Sequence, residues 1–251
     1  AMVGRVGNDT FGPTLLSGLK GDGIDVSQVR TDAEASTGVA LILLEESGEN
    51  RIVVASGANL NVTPDDVDSA ADLIRSAKVL LLQLEIPLPA VQRAVEIANK
   101  ADVQIILNPA PAQPLPIERL RGVDILVPNQ GEATTLADLP KETSAEEAAK
   151  ALRAAGAKVV VVTLGGDGAM LISKTGTQHI PAFPTEVIDT TAAGDAFMGG
   201  LAAALIEELP LAEAIRWGNA AGSLACTKLG AQPSLPSLDL LEARLNENID
   251  V

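Results

Sequence analysis

Val79-Leu80-Leu81-Leu82-Gln83-Leu84, then Pro89 to Lys100, then Val103-Gln104-Ile105-Ile106-Leu107 read as strand, helix and strand. After a short Pro-rich connection the pattern resumes with an extended run at Val123 to Val127 and helical runs at Gly131 to Leu136 and Ala145 to Ala155. A further extended run follows at Val159 to Thr163. Alternation of this kind predicts a mainly parallel sheet flanked by helices, an α/β class. In open sheets of that type ligands gather beyond the carboxyl ends of the strands. Gln83-Leu84-Glu85, Asn108-Pro109, Asn129 and Thr163-Leu164-Gly165 all fall at such ends, so several strand ends are expected to converge on one site.

The flanking segments have a different texture. Gly38 to Glu45 and Arg51 to Ala55 surround the turn-forming Ser47-Gly48-Glu49-Asn50, which reads as a hairpin projecting from the main sheet. By pattern alone, an ordinary edge hairpin is as good a reading as a lid. Beyond Thr163, Gly165-Gly166-Asp167-Gly168 leads into extended Ala169 to Ser173, a turn at Lys174-Thr175-Gly176 and another strand, predicted as antiparallel edge strands. Helical runs at Leu211 to Leu229 and Leu238 to Asn246 have apolar faces and no linker ahead of them. Residues 1–251 are therefore expected to form a single domain.

Of the 251 residues, 47% are hydrophobic but only 2% aromatic, with no Tyr, and mean hydropathy is +0.24. That is enough apolar material for one substantial core, carried by small and branched aliphatic residues suited to buried parallel strands. A net charge of −15 argues against a nucleic-acid surface, which needs clustered cations. No apolar run reaches the roughly 18 residues of a membrane span, and no signal-peptide pattern opens the chain. Cys226 is the only cysteine, so no intramolecular disulfide can form; between Leu224, Ala225 and the following residues it reads as a buried small residue. A cytoplasmic chain is expected.

The segment richest in chemistry is Asp189-Thr190-Thr191-Ala192-Ala193-Gly194-Asp195-Ala196-Phe197, which opens a helical run through Leu205. Small residues at 192–194 let a ligand approach the free N–H groups and the positive end of the helix, a phosphate-binding arrangement. A carboxylate at Asp195 would repel an idle phosphate, but it suits a base taking a proton from an attacking hydroxyl. Alone, the same Asp195 reads as a complement to the helix dipole. No G-x-x-x-x-G-K-[ST] loop or G-x-G-x-x-G fingerprint is present, which disfavours Walker ATPases and Rossmann dehydrogenases. His179 is the single histidine and reads as structural. One Cys and one His leave no transition-metal cluster, so hard cations with oxygen ligands, magnesium first, are the plausible ions.

This nine-residue string resembles the signature of the ribokinase-like (PfkB) family of sugar kinases, and the likeness extends over nearly the whole chain. The resemblance implies a three-layer fold with a small β lid, here residues 36–56, in which Ser36-Thr37-Gly38-Val39-Ala40 precedes the lid strands. It also implies ATP-dependent phosphorylation of a sugar, with D-ribose at its 5-hydroxyl preferred on the strength of Asn108-Pro109-Ala110-Pro111-Ala112. On this resemblance Asp195 is expected to be the catalytic base and to touch substrate, Ala193 and Gly194 to form the anion hole, and Glu85 to contact the sugar. By the same resemblance, Asn129 is expected to approach nucleotide phosphate, Glu132 to help hold hydrated Mg2+, and Thr163, Leu164, Gly165, Gly166, Asp167 and Gly168 to form the nucleotide segment, with Asn219 on the adenosine side. The resemblance likewise implies that Asp189 and Thr191 hold a K+ activator, with further oxygens expected from Ala225, Lys228 (through its carbonyl), Gly230 and Ser234. Taken alone, Glu85 reads equally as an exposed strand-end carboxylate, Asn129 as a helix cap, and Lys228 to Ser234 as a Gly-Pro turn.

The family pattern also has a first strand, a first lid element and a first long helix ahead of the position of Ala1, with Asn-x-Asp and Gly-Gly-Lys-Gly-Ala-Asn motifs that touch the sugar. These motifs are not among the 251 residues, and unpaired backbone and exposed apolar surface are expected where they would pack. Two alternatives accompany the sugar-kinase reading: another sugar or nucleoside kinase of the family, or a nucleotide-binding protein impaired in catalysis. Homodimerisation through the lid strands is a further expectation.

Overall fold

The computed structural model describes residues 1–44 and 50–247, which group into two compact units. The first unit comprises Ala1–Ala77 and Gln83–Val103, and the second comprises Lys78–Leu82 and Gln104–Val251.

In the first unit β1 (Val3–Gly7) and β2 (Gln28–Asp32) pair in parallel across α1 (Phe11–Gly21). An antiparallel hairpin follows, β3 (Val39–Leu44) with β4 (Asn50–Ala55), in register from Val39 opposite Ala55 to Leu44 opposite Asn50. The turn expected at Ser47-Gly48-Glu49 lies outside the described residues. Two short helices, α2 (Pro64–Ser69) and α3 (Ala71–Ser76), pack against α4 (Leu88–Asn99). α4 buries Ala90, Val91, Ala94, Val95, Ile97 and Ala98, the stripe that a 3.6-residue period brings to one face. α2 starts with a reciprocal cap, Thr63 taking the Asp66 N–H while Asp66 takes the Thr63 N–H. Arg5 then binds both buried carboxylates, at 2.9 Å to Asp32 and 2.8 Å to Asp66, which ties β1 to β2 and α2.

The second unit contains a six-stranded sheet of order β10-β9-β8-β7-β6-β5. β5 (Val79–Leu82), β6 (Gln104–Leu107), β7 (Ile125–Leu126) and β8 (Val159–Thr163) are parallel. β9 (Ala169–Ser173) and β10 (Gly176–Ile180) run antiparallel at one edge, as the sequence predicts. One face of the sheet presents Ile106, Ile125, Val127 and Val161 to Phe197, Met198 and Leu201 of α7 (Ala193–Ile206) and to Ile215 of α8 (Leu211–Ala225). The other face is covered by α5 (Gln130–Leu136) and α6 (Ala145–Ala154), which pack on β8. Val160, Val161 and Val162 are all fully buried, the signature of a strand covered on both faces. Each such side chain contributes roughly 1.5–3 kcal/mol of gross burial free energy.

The helix expected over Leu211–Leu229 stops at Ala225. The Cys226 carbonyl is taken by the Ile188 and Asp189 N–H groups, and the Gly230 N–H is committed to Asp189, so the tail is drawn off the helix axis. For the same reason Cys226 is half-buried at the helix end rather than buried within it, a correction to the sequence reading. The last helix, α9 (Leu238–Leu245), packs on α8 and buries Leu241 against Phe183, Ala220 and Ala221.

Candidate active site

The carboxyl ends of three parallel strands are linked by one chain of contacts. Asn108, just past β6, donates from Nδ2 to the Val127 carbonyl at 2.7 Å and to Glu132 Oε2 at 3.3 Å. The same Glu132 oxygen accepts from the Asn129 N–H at 2.8 Å, while Asn129 Oδ1 accepts from the Glu132 N–H at 2.9 Å. Asn129 therefore caps α5, and it also bridges Thr163 at the end of β8, whose N–H donates to the Pro128 carbonyl. Glu132 is buried; desolvation raises its pKa, opposed by the Asn129 and Asn108 donors.

Thr163 runs into a single 3-10 turn, Gly165–Asp167, closed by the Leu164 N–H on the Gly168 carbonyl. Gly168 has φ +90°, and a Cβ there would lie 2.2 Å from the Ile180 carbonyl oxygen, so this glycine serves packing. A Cβ on Gly165 or Gly166 would meet nothing within 4 Å, so the backbone of those two residues is open to approach. Asn219 on α8 is buried and donates from Nδ2 to the Ile180 and Pro181 carbonyls, each at 3.0 Å. It thus fixes the strand on which Gly168 leans.

Asp189 is clasped at both oxygens. Oδ1 accepts from the Thr191 N–H at 2.9 Å and hydroxyl at 2.7 Å, and Oδ2 accepts from the Gly230 N–H at 2.9 Å. These donors, Gly230 first, hold its carboxyl below the usual range. Ala225 and Ser234 are buried nearby in sequence, with Ser234 Oγ donating to the Ala231 carbonyl at 2.7 Å. Lys228 is exposed, and its N–H donates to the Ala225 carbonyl at 3.3 Å.

Ala192 precedes α7 in the left-handed region, φ +60°, a conformation that costs a non-glycine residue about 1–2 kcal/mol and that clusters at functional sites. The Ala193 N–H donates to the Thr190 carbonyl at 3.2 Å, whereas those of Gly194 and Asp195 have no acceptor among the described residues. The Asp195 carboxylate likewise has no hydrogen bond or ion pair among the described residues. Its surface is open to water, yet the surrounding protein desolvates it and pushes its pKa up. The start of α7 thus combines unspent donors with an uncommitted, more basic carboxylate.

The pattern of the pfkB family carbohydrate kinases matches residues 1–238. The chain belongs to that family. Its enzyme class is accordingly that of an ATP-dependent sugar kinase. This pfkB chain is 41% identical over 239 residues to the ribokinase of Haemophilus influenzae, covering 94% of itself and 78% of that protein. It is 40% identical over 249 residues to the bifunctional ribokinase/ribose-5-phosphate isomerase A of Fructilactobacillus sanfranciscensis, covering 98% of itself but 46% of that longer protein. The solved Arabidopsis thaliana ribokinase complexed with ribose and ATP superposes with a TM-score of 0.90 at 33% identity, over 98% of this chain and 81% of the other.

Among the expected site residues of the pfkB chain, Asn129 contacts both Glu132 and Thr163, and Asp189 contacts both Thr191 and Gly230. Glu85 lies just past β5 in the first unit and is exposed. His179 is exposed on β10, with Nε2 2.6 Å from the Asp167 carbonyl oxygen, a contact that supports the turn. Asn108 is legible in the sequence as a polar strand end and as the start of the Asn108–Ala112 pattern; its grip on Glu132 is a contact between residues 24 apart that spacing does not reveal. No group of three or more His, Cys, Asp or Glu that could hold a metal occurs among the described residues.

Proposed function

We propose that this chain transfers the γ-phosphoryl group of ATP to the 5-hydroxyl of D-ribose, giving ribose 5-phosphate, with Asp195 as general base. The observation that carries the reading is the uncommitted Asp195 carboxylate beside the unspent N–H groups of Gly194 and Asp195. The raised pKa, caused by desolvation, makes Asp195 a better proton acceptor than an ordinary carboxylate. The anion hole then comprises the Gly194 and Asp195 donors with Ala193 as its start, stabilising charge as it develops on the transferring group.

ATP supplies the activated phosphoryl group. Its phosphates would take the open backbone at Gly165 and Gly166 and the donors at α7, with Asn129, bridged to Thr163 just ahead of those glycines, on the phosphate side. Glu132 is held by Asn108 and Asn129, which suits contact with Mg2+ through water rather than direct ligation. Asp189, kept ionised, with carbonyls from Ala225, Lys228 and Gly230 and the Ser234 side chain, would hold K+. Asn219 acts on the nucleotide side by fixing the segment against which Gly168 packs. Glu85 contributes to the sugar side, and the β3–β4 hairpin is a lid whose exposed Leu41, Val53 and Val54 suit pairing of two chains in the cytoplasm.

The test is ADP formation by the 251-residue chain with Mg2+ and K+ across ribose, other sugars and nucleosides. The highest kcat/KM for ribose, falling on removal of either ion, supports the proposal. A higher value for another alcohol makes it a different kinase of the family, and nucleotide binding without turnover for any of them overturns the catalytic reading.

A further inference from the structure

The root of the hairpin is built unlike the rest of the first unit. Asp9, just ahead of α1, accepts the Phe11 and Gly12 N–H groups at Oδ1, at 3.1 and 3.0 Å, an ordinary helix-start arrangement. The same carboxylate also reaches 28 residues along the chain: Oδ1 takes the Thr37 hydroxyl and Oδ2 the Thr37 N–H, both at 2.7 Å. Thr37 is buried, and its Oγ1 in turn accepts the Gly7 N–H at 2.9 Å. Backbones touch around it. A Cβ on Gly7 would lie 2.3 Å from the Thr37 nitrogen, and one on Gly57, where φ is +50°, would lie 2.3 Å from the Ser36 oxygen. The Ala58 N–H closes the far side on that same Ser36 oxygen at 2.8 Å. Both roots of the hairpin, residues 36–38 and 56–58, are therefore stitched to each other and to the end of β1.

We infer that Asp9 and Thr37 are positioning residues that clamp the root of the β3–β4 hairpin to the end of β1 and so fix where the hairpin stands. Helix capping alone needs only Oδ1; the second oxygen is spent wholly on Thr37. Its effect on sugar binding rests on the reading of the hairpin as a lid, whereas the clamp itself does not.

Asp9→Asn separates the two roles. An asparagine keeps an oxygen for the α1 cap, where Asn and Asp are equally good, but sets an NH2 group against the Thr37 N–H. Thr37→Val removes the hydroxyl, and Thr37→Ser retains it. Amide hydrogen exchange of the intact chain is followed in peptides from β3, β4, α1 and β8. Asp9→Asn and Thr37→Val are expected to speed exchange in β3 and β4 about tenfold or more while α1 and β8 keep wild-type protection, with Thr37→Ser close to wild type. Exchange unchanged in the hairpin, or raised equally in all four elements, overturns the clamp. In the kinase assay the same two variants raise the sugar KM with kcat and the ATP KM nearly unchanged. A sugar KM unmoved in variants whose hairpin has loosened overturns the link to sugar binding. A wild-type chain that makes no ADP defeats the kinase reading, and the exchange result still decides the clamp.

Discussion

Asp9 accepts four hydrogen bonds, and Asp195, also at a helix start, accepts none among the described residues. The Thr37 hydroxyl and N–H, with the α1 donors, bring the Asp9 pKa down to about 2. Asp32 is likewise pushed down, first by the Asn61 amide, then by the Ala35 and Glu34 N–H groups and Arg5. For Asp66 burial works upward, but Arg5 and Thr63 outweigh it. Asp195 has only desolvation acting on it and moves the other way. Carboxylates surrounded by donors hold the first unit together as fixed anions. Asp195, in the second unit, has no partner among the described residues but is desolvated, and so keeps its lone pairs for a proton, which is where general-base chemistry is expected.

The comparison breaks most visibly at Arg5. Arg5→Ala takes the guanidinium away from buried Asp32 and leaves buried Asp66 with Arg30 alone, at 2.6 Å, and is expected to lower Tm by on the order of 5–10 °C, read by thermal unfolding at neutral pH. Acid acts on the same groups. Asp9, Asp32 and Asp66 have folded pKa values below their unfolded ones, so their contribution is full above about pH 4 and fades as pH falls toward about 2. Arg5→Ala should weaken the share of that acid limb that comes from Asp66 and, less, from Asp32, and leave the Asp9 share in place.

A smaller effect is expected at Gly168. Gly168→Ala combines a positive φ with the contact at the Ile180 oxygen and should cost several degrees of Tm, whereas Gly166→Ala meets nothing and should leave Tm alone while raising the ATP KM. Asn129→Ala removes a cap worth about 1 kcal/mol, a loss of a few degrees visible in the same melts. The smallest shift belongs to Asp195. Its folded pKa lies above the unfolded value, so it stabilises when protonated and that contribution is lost as pH rises. Asp195→Asn should therefore leave Tm at neutral pH unchanged or slightly higher, the opposite of Asp9→Asn.

What the sequence revealed was local. The runs at Val79, Val103 and Val159 became strands because short, largely apolar and β-branched runs between helices suit buried parallel strands, and the Asp189–Asp195 string carried its own helix start. What it hid was set by contacts distant along the chain. Arg5 meets Asp32 and Asp66 across 27 and 61 residues, and Asp9 meets Thr37 across 28. The end of α8 depends on donors at Ile188 and Asp189, which propensity within 211–229 cannot anticipate. Asn129 illustrates both: its spacing to Glu132 allowed a cap or a phosphate contact, and the structure contains the cap on a residue that also borders Thr163.

The central claim is that Asp195 takes the proton of the attacking hydroxyl. Ribose-dependent ADP formation and ATP binding should be measured side by side for the wild-type chain and Asp195→Asn. The account predicts unchanged ATP affinity with kcat reduced by about 10²–10⁴. Turnover by Asp195→Asn at the wild-type rate would contradict it.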